Sequence, residues 1–164
     1  MTILFPFFIL SILSYFIGFK YKISSARAYL ITSFSIILLL IFFGKFGYID
    51  LFNELIRYFA ISLLIYLIWK KKFDSEYIKN LIFFFIIYLF LIFICKDLFY
   101  YKYDEFSEYG ITTKLIFTEN NLPSNIDYLQ KGSHHKINFI SYFHYFFLKN
   151  SSELFQESTT YLAH

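Results

Sequence analysis

The sequence has 164 residues, of which 58% are hydrophobic and only 16% charged, against about 45–50% apolar and about 25% charged in soluble domains. That excludes an ordinary water-soluble domain, whose interior could not enclose 25 Phe together with so much Ile and Leu. The net charge of +3 is unevenly placed: residues 1–96 carry ten basic and four acidic side chains, and residues 97–164 carry five and eight.

The basic residues cluster between apolar runs, where charge reports membrane topology. They are therefore not read as a nucleic-acid footprint, and nucleic acid is not expected as a partner. The aromatic excess, 25 Phe and 16 Tyr beside one Trp, reads as compositional bias, so aromatic abundance alone does not mark a ligand site.

The N-terminus, Met1-Thr2-Ile3-Leu4, lacks the basic n-region of a secretory signal, and no small-residue cleavage site follows it. The first apolar run should therefore remain attached as a membrane span. Residues 1–97 form the expected transmembrane region, with about four spans over 2–19, 28–46, 51–69 and 79–97. Each is near the ~20 residues that a hydrocarbon core of ~30 Å requires.

The last span is the strongest, because from Leu81 to Cys95 every residue except Tyr88 and Cys95 is Leu, Ile or Phe. The third carries Glu54 and Arg57 in its opening turns, three residues apart and so able to pair on one helix face. Two readings fit them: an interfacial pair preceding the span proper, or a polar contact to another helix. They are the only ionisable candidates within the spans, which argues against a transport pathway. Cys95, the one cysteine, has no internal disulfide partner.

Lys20, Lys22 and Arg27 separate the first two spans, and Lys70, Lys71, Lys72 and Lys79 separate the last two. Short loops rich in Lys and Arg remain cytoplasmic. The N-terminus and residues 98–164 are thus expected outside, with the chain in a bacterial inner membrane and in contact with membrane lipid.

The outward segment is expected to hold two amphipathic interfacial helices, giving an all-α polytopic fold. In the first, from Asp104 to Thr118, the positions Phe106, Tyr109, Thr113, Ile116 and Phe117 recur at helical spacing. Asp104, Glu105, Glu108 and Thr112 share the opposite side. It stops at Asn120-Asn121-Leu122-Pro123. The second, Ile137 to Leu148, is too short to span and too apolar for water, which predicts an interfacial helix. The reading frame is expected to continue beyond His164 into further spans.

Chemistry concentrates in Tyr103-Asp104-Glu105-Phe106-Ser107-Glu108-Tyr109-Gly110. Carboxylates in a first helical turn are favoured by the helix dipole, so Asp104 and Glu105 fit a simple cap. A carboxylate at the membrane surface also fits a general base towards an acceptor, or a ligand for a divalent ion bridging a lipid phosphate. Adjacent His134 and His135 point to opposite sides of an extended segment, which suits a solvated pair better than a shared metal. A site combining His134, His144 and Asp104 is the metal alternative, and the cofactor is otherwise unassigned.

This stretch, with Leu122-Pro123, His134-His135 and the aromatic run Tyr142 to Phe147, resembles the GT-C-like glycosyltransferases, multispanning bacterial proteins that use polyprenyl-phosphate-linked sugars. The resemblance implies that Asp104 is the catalytic base, Glu105 its acidic neighbour, and Glu108, His134 and His135 substrate contacts towards the donor. It also implies a membrane enzyme whose other transmembrane helices, in the same protein or a partner subunit, complete the site. Tyr109 stands where that pattern has Trp. The alternative is a small non-catalytic four-span protein that binds lipid or partner helices.

Overall fold

A computed structural model describes residues 3–70, 75–95, 110–122, 139–151 and 155–162. Among the described residues the fold is all α, with no strand. The helices are α1 (Phe5–Tyr21), α2 (Ser25–Lys45), α3 (Ile49–Trp69), α4 (Ser75–Cys95), α5 (Ile111–Glu119), α6 (Phe139–Ser151) and α7 (Glu157–Tyr161).

Local chemistry explains the helix ends. Pro6 sits in the first turn of α1, where its missing N–H costs nothing. At the other end Lys22 turns left-handed, with φ 52°, and Ile23 N–H donates to the Gly18 carbonyl at 3.2 Å. The α2–α3 turn depends on Gly47, at φ 78°, which lets Tyr48 N–H reach back to the Phe43 carbonyl at 2.9 Å.

α2, α3 and the stretch Tyr77–Cys95 of α4 are each long and apolar enough to cross a membrane. α1, at 17 residues, is about 26 Å long at ~1.5 Å per residue, a little short of the ~30 Å hydrocarbon core. The surface of these helices confirms an integral membrane protein. Leu30, Phe34, Leu38 and Phe42 of α2, and Phe83, Ile86, Phe90 and Phe93 of α4, are all more than half exposed. Such extended apolar faces suit lipid and not water.

The opposite faces hold the bundle together. On α2 the buried positions Ala28, Thr32, Ile36, Leu40 and Gly44 recur every fourth residue, a single stripe against α1 and α3. On α1, Ser11, Ser14 and Gly18 are buried, and small residues of this kind let helix backbones approach closely in lipid. The Ser11 and Tyr29 hydroxyls hydrogen bond across the α1–α2 interface at 2.6 Å.

The bundle has two chemically distinct ends. At one, the α1–α2 connection with Lys20 and Lys22 lies beside the start of α4, where Asn80 Nδ2 donates to Ser25 Oγ at 3.2 Å. At the other, Leu122 packs on Gly44 near the α2–α3 turn, and Asp50 and Arg57 of α3 meet α6. Helices α5, α6 and α7 therefore assemble at the end opposite the Lys20–Lys22 connection.

Two expectations for this region require correction. α6 does not lie flat with one face in an interface. Tyr142, His144, Tyr145, Phe146, Phe147 and Leu148 are all buried, because α6 packs against α1, α2, α5 and α7 together. A 13-residue helix with this many aromatic side chains is satisfied by enclosure. Thr112, expected on the outward side of α5, is also buried, beside Thr113, Ile116 and Phe117, since α5 lays that face on α6.

Candidate functional site: a polar junction between α3 and α6

The opening turns of α3 place Asp50, Asn53, Glu54 and Arg57 at helical spacings of three and four, so all four side chains share one flank. α6 presents Tyr145, Lys149 and Asn150 to that flank. Arg57 Nε donates to Asn150 Oδ1 at 3.1 Å, and its Nη2 donates to the Lys149 carbonyl at 3.1 Å. Its remaining terminal nitrogen pairs with Glu54 Oε1 at 2.9 Å. The guanidinium also stands over the Phe5 ring, 5.9 Å from the centroid.

Asn150 is fully buried and uses its amide completely. Nδ2 donates to Asn53 Oδ1 at 2.9 Å and to the Phe146 carbonyl at 2.7 Å. Lys149 Nζ pairs with Asp50 Oδ1 at 3.2 Å and stands over the Phe117 ring at 5.6 Å. The four charges, two of each sign, thus cancel within one cluster.

Arg57 lies eight residues into α3, about 12 Å along its axis. A cation at such depth is costly unless paired, and here its donors face a carboxylate, an amide oxygen and a backbone carbonyl. The sequence left two readings for Glu54 and Arg57, and the observed geometry is the contact to another helix. Asp50-x-x-Asn53-Glu54-x-x-Arg57 was the available signal, an unbroken polar flank on an otherwise apolar helix.

The Tyr145 hydroxyl lies 3.4 Å from Asp50 Oδ1 and 3.5 Å from Asn120 Oδ1, joining the end of α5 to the cluster. Burial pushes its pKa far above the usual tyrosine range, and the Asp50 charge adds to the rise. Tyr142, buried on the same helix, is pushed up to about 12 by desolvation.

Asp104, Glu105, Glu108, His134 and His135 lie outside the described residues. His144 is described, and it is enclosed, with Nδ1 3.4 Å from Thr113 Oγ1. Among the described residues no group of three or more His, Cys, Asp or Glu side chains is arranged to hold a metal ion. The junction as built is suited to binding two helices together. Every charged group in it is neutralised by a neighbour, which leaves its chemistry turned inward.

No protein-family model, curated protein or solved structure matches the chain.

Proposed function

We propose that this chain is the N-terminal helical portion of a membrane glycosyltransferase-like protein that moves a sugar from a polyprenyl-phosphate donor to a surface glycan or lipid acceptor. In this reading all four long helices, α1 included, span a bacterial inner membrane with the N-terminus outside. Asp104 takes the proton of the attacking acceptor group, with Glu105 beside it. Glu108, His134 and His135 contact the donor, and further transmembrane helices complete the site.

The polarity of the bundle supports this reading. α4 is described as far as Cys95 and the chain is described again at α5, on the end opposite Lys20 and Lys22. If basic connections mark the cytoplasmic side, the acidic stretch between α4 and α5 emerges where a lipid-linked donor presents its sugar outside the cell. The test is Asp104→Asn in the intact protein, assayed with a radiolabelled polyprenyl-phosphate sugar. Transfer should fall to background with membrane insertion unchanged, and retained transfer would refute the role.

The α3–α6 junction favours a second reading, a non-catalytic membrane scaffold that binds lipid or partner helices. Its charges are mutually paired and α6 is packed against several helices, as a docking frame requires. On that reading Asp104→Asn changes no reaction, whereas unpairing Arg57 disrupts assembly with the partner.

A further inference from the structure

A pocket of about 740 Å³ opens at the basic end of the bundle, between the α1–α2 connection and the start of α4. Lys20, Lys22, Ser24, Ser25, Tyr77 and Asn80 supply its polar lining. Among the described residues, none that lines it is acidic.

Its floor is fixed by an unusually close approach. The Tyr77 ring lies on the α1 backbone at Gly18, where an added Cβ would stand 2.6 Å from Tyr77 Cε2. Tyr15 meets the same ring edge-on, with centroids 4.7 Å apart. Held in this way, Tyr77 is 8% exposed, and its hydroxyl is buried with no hydrogen-bond partner. A buried, unpartnered donor in a pocket wall is uncommon and calls for a ligand or water.

The neighbouring groups have the same character. Asn80 Nδ2 donates to Ser25 Oγ, which leaves the Ser25 hydroxyl hydrogen to point elsewhere. Ser24, Lys20 and Lys22 are exposed on the rim. Two ammonium groups together with hydroxyl and amide donors make a site for an anion with several oxygens. Tyr15, Phe19 and Ile23 add an apolar wall, and the flanks of α2 and α4 continue that apolar surface along the bundle.

We propose that this pocket binds the phosphate group of an anionic membrane lipid. Lys20 and Lys22 neutralise it, Tyr77, Ser25 and Asn80 donate to its oxygens, and the lipid chains follow the apolar helix surface. Basic pockets between transmembrane helices are a recurrent setting for lipid phosphates. Because it uses none of the residues on which the transferase reading depends, the proposal stands or falls separately from it.

The test is native mass spectrometry of the full chain released from nanodiscs containing phosphatidylglycerol and phosphatidylcholine. Phosphatidylglycerol should be retained preferentially. Replacing Lys20→Gln and Lys22→Gln together should weaken that retention by about fivefold for each lysine. Tyr77→Phe, which keeps the ring against Gly18, should weaken it by a smaller factor. Lys70→Gln, a second basic position that does not line the pocket, should leave it unchanged. Equal retention by the double variant, or an equal loss in Lys70→Gln, would overturn the site. Displacement of the lipid by millimolar inorganic phosphate would overturn the lipid as the source of the phosphate.

Discussion

Arg57 and Asn150 stand 93 positions apart in the chain and meet at 3.1 Å, and this contact joins the membrane bundle to α6. Asn150 has no polar atom to spare, because it also bonds Asn53 and the Phe146 carbonyl. Asn150→Leu would leave Arg57 and Asn53 facing a hydrocarbon side chain. Interhelical hydrogen bonds in membranes contribute about 0.6–2 kcal/mol, so the thermal midpoint in detergent should fall. Protease cleavage around α6 should also accelerate, and an unchanged digestion pattern would show that the contact does not hold α6 in place.

Gly18→Ala tests the approach of α4 to α1. The added methyl would collide with the Tyr77 ring, and overpacking of this kind costs about 1–3 kcal/mol. The double variant Gly18→Ala with Tyr77→Leu should recover much of that loss, since the obstructing ring is gone. Denaturant titration of the single and double variants measures the coupling, and simple additivity would mean that the ring moves aside freely.

Orientation is accessible to thiol labelling. In a Cys95→Ser background, Ser24→Cys marks the basic end and Tyr48→Cys the α2–α3 turn at the other. An impermeant maleimide applied to intact spheroplasts should label position 48 and reach position 24 only after permeabilisation. Labelling of both from one side would contradict a membrane-crossing α2.

Alkaline pH should loosen α6. Tyr145 has a pKa raised by burial and by Asp50, and Tyr142 is raised to about 12 by burial, against about 10 in the unfolded chain. A raised tyrosine pKa means that the fold favours the neutral phenol. That contribution is complete below about pH 10 and is lost as pH climbs towards the folded-state values. Thermal midpoints measured from about pH 8 to about pH 11 should decline at the alkaline end, and less steeply in Tyr145→Phe.

Much of the bundle was legible in the sequence, because a lipid-facing helix needs only length and apolarity, and α2, α3 and α4 declare both. Their ends were legible to within a few residues from the limits of the apolar runs and the lysines between them. The environment of α6 was not. Periodicity distinguishes a one-sided helix from an all-round apolar one, but Ile137 to Leu148 carries no mark that its surroundings are protein and not a membrane surface. The α3 flank was half legible: Glu54 and Arg57 announced a pair, while Asn150 and Lys149, supplied from 93 and 92 positions away, could not be matched to them by local spacing. Asp104, Glu105, Glu108, His134 and His135 were chosen for side-chain chemistry, and they fall outside the described residues, so the site that emerged is a different one.

The enclosure of α6 also imposes an order on biogenesis. Helices α1 to α3 leave the ribosome and enter the bilayer long before Phe139 is synthesised, so the nascent bundle must exist for a time with Asn53 and Arg57 facing an unfilled cleft. Glu54, three residues before Arg57 on the same helix, is positioned to neutralise that cation during the interval. The i,i+3 pair, modest in the finished molecule, thus lowers the cost of placing Arg57 in the bilayer before its later partner arrives.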